Sequence, residues 1–281
     1  MSVLKASSET GICFHPGLDW SNLVVAAVSD ASHAAEDEWL DAEQVREPFR
    51  SQGGKLIFLC TPDVWSGEQT FCHLVSFGSA TIRRVCRSTI QAETYQLQTT
   101  VEYADLIRAA IADCHGLLDR TDWEDSAASI IPAVWFTDCR SAHDALKRTL
   151  QKGVDKRLGI DLAALRQSLW RFPGRTPLQA RLQDEQPSEC TDIVRWIDTA
   201  VMPADPLTKS MSDDFLQQIL DSNIWNFEQP ADSKAEQIKK QIGRKSHKKL
   251  EAMSYTMKNR NGNKSSGVDN DDDVVGQSGS E

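Results

Sequence analysis

The chain lacks several features that would place it in a membrane or outside the cell. It has no uninterrupted run of about 18 apolar residues, the length that a membrane-spanning helix needs. Its first residues, MSVLKASSETG, do not have the basic-then-apolar order of a secretory signal. The seven cysteines include no CxxC pair, which disfavours a disulfide framework or a zinc site. These absences favour an intracellular protein, cytoplasmic or nuclear, without a membrane partner.

The net charge of -10 is distributed unevenly. Residues 1–233 carry 21 basic and 34 acidic side chains, residues 234–264 carry 10 and 2, and residues 265–281 carry 0 and 5. An acidic body is not typical of a nucleic-acid-binding protein, so such binding would need a local basic patch. The sequence offers two, ATIRRVCRS and KKQIGRKSHKK. The second is also compatible with a nuclear-localisation signal or with a solvated disordered run.

The distribution of large apolar side chains predicts where the chain folds. The sequence has 8 Trp, 9 Phe and 3 Tyr, and nearly all of them precede residue 228. Aromatic residues dominate the burial of apolar surface in protein cores. We therefore predict an N-terminal extension over residues 1–20, a folded domain over residues 21–225, and a charged, largely disordered tail over residues 226–281.

The order of apolar segments predicts an α/β domain with a mixed sheet. Strands are expected at LVVAAVSD, KLIFLC and TFCHLVSF, the last two forming a hairpin, and a long helix is expected over residues 89–118. A strand at IPAVWFTD, two helices, a strand at TDIVRWID and a closing helix near residues 213–220 complete the domain. Residues 171–190, rich in Pro, Gln and Arg, are predicted to form a long loop.

Two of the predicted strands end in an aspartate. VAAVSD ends at Asp30 and AVWFTD ends at Asp138. Ligands commonly bind at the ends of strands in α/β sheets. Taken singly, an Asp after a strand more commonly caps the next helix or begins a turn. Asp205 in PADPL has the form of an ordinary helix start, with Pro behind an acid.

Glu93 in RSTIQAETYQL occupies an unusual place, because the helical periodicity puts it near the middle of an apolar arc. The arc contains Ile90, Leu97, Val101, Ala104, Ile107 and Ile111. An ionised carboxylate there is costly unless it is paired or binds a cation. One interpretation is a rotated helix, with Glu93 at the edge of the buried face and paired with Arg84 or Arg87. Another is a cluster of acids that binds magnesium or manganese, two ions of which support phosphodiester cleavage.

Five phrases in a fixed order carry a resemblance to a known family. They are VSDASHA, RSTIQAETYQL, WFTDCRSAHDAL, DKRLGIDLAALR and VRWIDTAVMPADPLTK, and they span roughly residues 24–211. In these words and in this order the chain resembles the ribonuclease H domain at the C-terminal end of copia-type LTR retrotransposon polyproteins. The resemblance implies an α/β, ribonuclease H-like fold with a five-stranded mixed sheet flanked by helices.

The resemblance also implies an activity, endonucleolytic hydrolysis of the RNA strand of an RNA:DNA hybrid. Four residues would be catalytic and metal-binding, and the cofactor would be two Mg²⁺ or Mn²⁺ ions. By this resemblance Asp30 would bridge both ions, Glu93 and Asp138 would hold the ion on the leaving side, and Asp205 would hold the ion carrying the attacking water. Three arginines would contact phosphates of the nucleic acid, or would otherwise be solvated charge: Arg83, Arg84 and Arg87.

Some features depart from the family or leave alternatives open. The family often has a His in the phrase that here reads Lys156-Arg157-Leu158-Gly159-Ile160-Asp161. The short stretch before the first strand suggests a fragment, a separately encoded remnant or a domesticated copy, with a separate reverse transcriptase as a possible partner. The competing hypotheses are a catalytically inactive binding or scaffold module and an integrase-like nuclease, which usually uses three acids. His143, just beyond Asp138, is expected to be structural or exposed.

Overall fold

The computed structural model describes residues 12, 14, 16–33, 50–147, 155–172, 174–176 and 190–227. Within them the chain forms a mixed six-stranded sheet in the order β5-β4-β1-β2-β3-β6. The strands are β1 (Val24–Ser32), β2 (Gln52–Cys60), β3 (Thr70–Thr81), β4 (Ala133–Thr137), β5 (Asp192–Trp196) and β6 (Ile224–Trp225). Strands β1, β2, β3 and β6 pair antiparallel, whereas β4 is parallel to both β1 and β5. The predicted α/β class, mixed sheet and hairpin are confirmed.

Five α-helices accompany the sheet in the described part of the chain. They are α1 (Thr89–Cys114), α2 (Trp123–Ile130), α3 (Arg140–Lys147), α4 (Lys156–Leu169) and α5 (Asp214–Ser222). Short 3-10 turns occupy Pro62–Trp65, Thr199–Val201 and Asp205–Leu207. No helix among the described residues is sufficiently long and apolar to cross a membrane.

The expected number of five strands is wrong by one. The additional strand β6 has two residues and pairs with Thr70 and Phe71 of β3. Trp225 anchors it, because its buried ring lies 4.9 Å from that of Phe136 and 5.6 Å from that of Phe58. A strand of two residues has no periodicity that a sequence can reveal.

The predicted boundaries of the folded part fall close to described packing at both ends. Leu18, within the predicted extension, belongs to the core, and Phe227, within the predicted tail, stacks on Trp225 with the ring centroids 4.4 Å apart. The rest of the predicted tail and most of the predicted loop over residues 171–190 lie outside the described residues. The domain boundaries themselves stay a prediction.

The sheet separates two hydrophobic layers, because side chains alternate between the faces of each strand. On one side the residues of β1, β2 and β4 pack against α1 and α4, with Ala27, Ile57, Trp135, Leu97 and Leu162 at the centre. On the other side they pack against α5 and the chain before it, with Val28, Phe58, Phe136, Met202 and Leu216. Strand β1 is buried along its whole length, which explains its continuous apolar run.

Helix α1 confirms the predicted apolar arc. Leu97, Val101 and Ala104 are buried in the core, and Ile90, Ile107 and Ile111 pack against it. The helix ends at Cys114, four residues before the predicted end. Gly116 causes this earlier end, because it has a positive φ of 68° and the N–H of Leu117 turns back to the carbonyl of Ala112.

A buried ionic network fixes the start of β4 and β5. Arg108 of α1 is fully buried and donates two hydrogen bonds of 2.8 Å to Asp192, the first residue of β5. Asp192 also accepts from the N–H of Ala133, the first residue of β4. Asp105 completes the network by pairing with both Arg108 and Arg171 at 3.1 Å. The sequence analysis did not identify these residues, whose partners lie far away along the chain.

Candidate functional site

The register between β1 and β4 brings two of the predicted acids together. These strands are parallel neighbours, and Val28 lies beside Phe136. Asp30 and Asp138 each come two residues after this pair, so they leave the sheet side by side on the same face. Asp30 is 1% exposed, and Asp138 is partly buried.

The third acid, Asp205, arrives from a separate turn that packs directly on β2. Asp205 is buried and begins the 3-10 turn Asp205–Leu207. Gly54 of β2, which pairs with Asp30, makes room for this turn. A Cβ at Gly54 would lie 2.8 Å from Cβ of Leu207 and 2.9 Å from Cγ2 of Thr208. Glycine within a strand often marks such a close approach, and this signal in QGGKLIFLC was available in the sequence.

The three aspartates form one cluster. Asp30, Asp138 and Asp205 each contribute a carboxylate oxygen, and these oxygens lie within 4.8 Å of one another. Burial, and then the charge of Asp30, raise the pKa of Asp205 to about 6, although the ammonium of Lys209 opposes the shift. Burial and Asp30 also raise the pKa of Asp138. The cluster therefore concentrates negative charge in a confined space, and Lys209 offsets only part of it.

Glu93 belongs to the same site. It lies in the second turn of α1, is 4% exposed, and its Oε2 has no hydrogen-bond partner among the described residues. Burial, followed by the charges of Asp30 and Asp138, raises its pKa well above the usual value, while a hydrogen bond from the N–H of Ala31 opposes this shift. The alternative of a rotated helix with Glu93 at its edge is therefore wrong.

Three of the four acids, Asp30, Glu93 and Asp138, border an open cleft of about 500 Å³. Residues from β1, the start of α1, the end of β4 and the turn after Asp205 line it. They are Asp30, Ala31, Ser32, His33, Thr89, Glu93, Asp138, Cys139 and Lys209. The hydroxyl of Ser32 is buried and, like Oε2 of Glu93, has no hydrogen-bond partner among the described residues.

Lys209 and Thr208 neutralise and orient the aspartates. The Nζ of Lys209 lies 2.6 Å from Oδ1 of Asp205 and 3.5 Å from Oδ1 of Asp30. Thr208 Oγ1 donates a hydrogen bond to Oδ2 of Asp30. Burial alone would lower the pKa of Lys209, but the neighbouring aspartates together raise it above its usual value. The sequence analysis missed both side chains, although they end the phrase PADPLTK, three and four residues after Asp205.

Trp196, the last residue of β5, and Thr199, three residues later, hold Asp138 in place. Thr199 Oγ1 donates to Oδ2 of Asp138 at 3.0 Å, and Nε1 of Trp196 donates to its backbone carbonyl at 2.8 Å. At the start of α3 the N–H of Cys139 donates to Oγ1 of Thr137 instead of to Asp138. The Asp138 carboxylate is thus fixed by the neighbouring strand and faces the cluster.

The three predicted arginines lie on the segment before α1. All three are exposed. Arg84 lies 3.5 Å from Asp161 of α4, and Arg87 lies 3.8 Å from Asp155. The expected pairing of Arg84 or Arg87 with Glu93 is therefore wrong, while their phosphate contacts stay a prediction. Asp161 belongs to the phrase in which the resembled family often has a His, and its ion pair with Arg84 links the segment before α1 to α4. Arg83 is exposed.

Two histidines take different places. His143 is half-buried on α3, its Nδ1 lies 3.2 Å from Asp144, and burial lowers its pKa. It does not line the cleft, which agrees with the expectation that His143 is structural or exposed. His33, which the sequence analysis did not single out, lines the cleft and donates from Nε2 to the carbonyl of Cys86 at 3.1 Å.

The donor set suits a hard divalent cation. Carboxylate oxygens are the preferred ligands of Mg²⁺ and Mn²⁺, and a cation relieves the repulsion between closely spaced acids. The unpartnered Oε2 of Glu93 is a further oxygen donor at the same cleft. The buried aspartate cluster can therefore bind metal ions.

Comparison with known proteins gives little further information. No family model matches the chain, and no curated protein matches it. Among solved structures, it is similar to a crystal structure of the protease-reverse transcriptase of prototype foamy virus, a selenomethionine-labelled CSH mutant. The match has 11% sequence identity and a TM-score of 0.27, and it covers 76% of this chain but 22% of the viral one. The chain thus spans about a fifth of that protein's length.

Proposed function

We propose that this chain is a metal-dependent endonuclease that hydrolyses the RNA strand of RNA:DNA hybrids, a ribonuclease H of the copia retrotransposon type. One observation carries the proposal. Asp30, Asp138 and Asp205 come from distant parts of the chain and meet within 4.8 Å, and the buried Glu93 borders the same cleft. These are the four residues to which the resemblance assigns metal binding. The integrase-like alternative does not account for the PADPLTK segment, which supplies Asp205, Thr208 and Lys209.

The proposed mechanism assigns each acid a part in holding two Mg²⁺ or Mn²⁺ ions. Such ions, when bound, activate a water molecule and stabilise the leaving oxygen in phosphodiester cleavage. Asp30 would hold both ions, since Lys209 contacts both Asp30 and Asp205, and Asp138 follows the strand that is parallel to β1. Thr199 fixes the Asp138 carboxylate, and Glu93 offers its unpartnered Oε2 on the helix side.

The exposed segment before α1 would bind the nucleic acid. Arg83, Arg84 and Arg87 lie within ten residues of Glu93 on the same stretch of chain, where they would contact phosphates as the hybrid crosses the cleft. Recognition of RNA would rest on its 2′-hydroxyl groups in a wide, shallow minor groove. The same proposal has three further parts. The basic patch at residues 239–249 is a second candidate for nucleic-acid contact, the location is cytoplasmic or nuclear, and a separate reverse transcriptase is the partner.

A cleavage assay with matched aspartate variants tests the proposal. The full chain is incubated with a labelled RNA:DNA hybrid in magnesium, beside Asp138→Asn and beside Asp221→Asn, an exposed acid on α5. We expect the wild type and Asp221→Asn to release RNA fragments at the same rate and Asp138→Asn to release none above background. Equal background release from all three would contradict the nuclease, and hybrid binding without cleavage would support the binding-module alternative instead.

A further inference from the structure

Lys209 has a position that the proposed metal site does not explain. Its ammonium group lies among carboxylates, 2.6 Å from Asp205 and 3.5 Å from Asp30. These two acids would hold one side of a two-ion centre. The other side, near Glu93, has an unpartnered buried carboxylate oxygen. Lys209 thus makes direct ion pairs with Asp205 and Asp30, whereas it acts on Glu93 only at longer range.

We infer that Lys209 is a built-in counter-ion that occupies one of the two cation positions and competes with the divalent ion for it. The inference rests on the proposed function, because it assumes that the four acids bind metal. It makes the two positions unequal. An ion enters freely beside Glu93, Asp30 and Asp138, whereas a second ion beside Asp205 must first displace the lysine.

The local geometry permits this exchange without movement of the backbone. The side chain of Lys209 is 39% exposed, whereas those of Asp30 and Asp205 are 1% and 4% exposed. The N–H of Lys209 donates to the carbonyl of Asp205 at 3.0 Å, which fixes the backbone while the long side chain can rotate into solvent. The lysine is thus the component that can leave, and the aspartates are the components that stay.

The charge balance gives the competition its direction. An ammonium carries one positive charge and a divalent ion carries two, so the ion gains more from two carboxylates at similar distance. The ion must also overcome the contacts that the lysine already makes. The second site in the wild type should therefore bind at least about tenfold more weakly than the first.

The test counts bound Mn²⁺ by electron paramagnetic resonance on the full chain, without any activity measurement. The variants are Lys209→Met, Lys209→Arg, and Lys147→Met as a matched control at an exposed lysine of α3. We expect one tight and one weak Mn²⁺ in the wild type and in Lys147→Met. In Lys209→Met the second ion should tighten by about tenfold or more, because nothing competes for its position. Lys209→Arg keeps the charge and should keep the second site weak.

Thermal unfolding shows whether a variant fails to fold or only lacks the competition between Lys209 and the second ion. In EDTA we expect Lys209→Met to unfold at a lower temperature than the wild type, because two buried aspartates lose their counter-ion. Added Mn²⁺ should raise the unfolding temperature of Lys209→Met again. If the second Mn²⁺ binds Lys209→Met no more tightly than it binds the wild type, the inference is overturned and the proposed function stays intact. If neither folded protein binds Mn²⁺, the proposed metal site fails, and the inference with it.

Discussion

At the residue scale, Glu93 shows how a site residue departs from the pattern around it. It lies within the apolar arc of α1, but its neighbours at the start of the helix are Asp30 and Asp138, and its Oε2 has no partner among the described residues. Burial of such a group is unfavourable in the absence of a cation. If Glu93 holds a metal ion as proposed, the cost in stability falls at the position of a ligand.

The substitution Glu93→Gln should separate stability from activity. It removes a buried carboxyl group whose charged form burial, Asp30 and Asp138 disfavour, so we expect the metal-free protein to gain stability against unfolding. Cleavage of the hybrid should fall to background, because an amide is a poor ligand for magnesium. The measurements are denaturation in EDTA and the cleavage assay, with Glu102→Gln as a control at an exposed acid of the same helix. A less stable Glu93→Gln, or one with full activity, would contradict the assignment.

The raised pKa of Asp205 predicts how stability depends on pH. The pKa is about 6 in the folded protein, above the ordinary value of 3.8, so the folded state binds this proton more tightly than the unfolded state does. Stability should therefore decrease as pH rises from about 4 to about 6 and then level off. The contribution of Asp205 should be on the order of 1 kcal/mol after solvent screening.

Asp205→Asn isolates this contribution from that of other acids. Asp105 also has a pKa raised to about 6, chiefly by burial, and titrates in the same direction in both proteins. Denaturation in EDTA at several pH values should give a shallower decrease for Asp205→Asn than for the wild type. Identical slopes would show that Asp205 is not the buried, repelled carboxylate described above.

At the element scale, the site depends on how strands and turns meet. The sequence predicted the order of most elements and the apolar arc of α1. The resemblance singled out four acids that lie near one another in the structure, and their role in metal binding stays a prediction. The sequence did not predict α2, β6, Gly54 or Lys209. Strand β6 is too short to show a period, and the contacts of Gly54 with the Asp205 turn and of Lys209 with Asp30 join distant parts of the chain. Local patterns report the burial of one segment, whereas the contacts that complete this site join β2 to a turn about 150 residues later.

The substitution Gly54→Ala should displace the Asp205 turn. The added Cβ would lie 2.8 Å from Leu207 and 2.9 Å from Thr208, so the turn must move away from β2. We expect a loss of about 1 to 3 kcal/mol in the free energy of unfolding, with weaker Mn²⁺ binding. Gly159→Ala is the matched control, since a Cβ there meets no atom within 4 Å and a helix favours alanine by about 1 kcal/mol. Equal stability and metal affinity in Gly54→Ala and the wild type would contradict this role.

At the scale of the whole molecule, two polar clusters lie at opposite ends of β4. The acidic site follows its last residue, and the ionic network of Arg108, Asp192 and Asp105 surrounds its first. The network satisfies its charges internally, whereas the acidic site does not. We therefore expect the first cluster to stabilise the fold, whereas the second is the proposed metal site.

The substitution Arg108→Met tests that division. It leaves Asp192 and Asp105 buried without their main partner, so we expect a loss of about 3 to 5 kcal/mol in the free energy of unfolding. Cleavage per folded molecule at low temperature should be unchanged. Arg120→Met, which breaks an exposed pair with Asp113, should cost less than about 1 kcal/mol. A small effect at Arg108 in urea denaturation would show that the network does not hold the sheet together.

The most direct measurement of the central claim is a strand-resolved cleavage assay on the folded full chain. The hybrid carries a different label on its RNA and its DNA strand, and it is incubated with magnesium, with EDTA, and with Asp30→Asn in magnesium. We expect the RNA strand alone to be cut, only with magnesium and only by the wild type. Cleavage by Asp30→Asn at the wild-type rate, or an intact RNA strand at every magnesium concentration, would contradict the claim that these four acids form a ribonuclease H site.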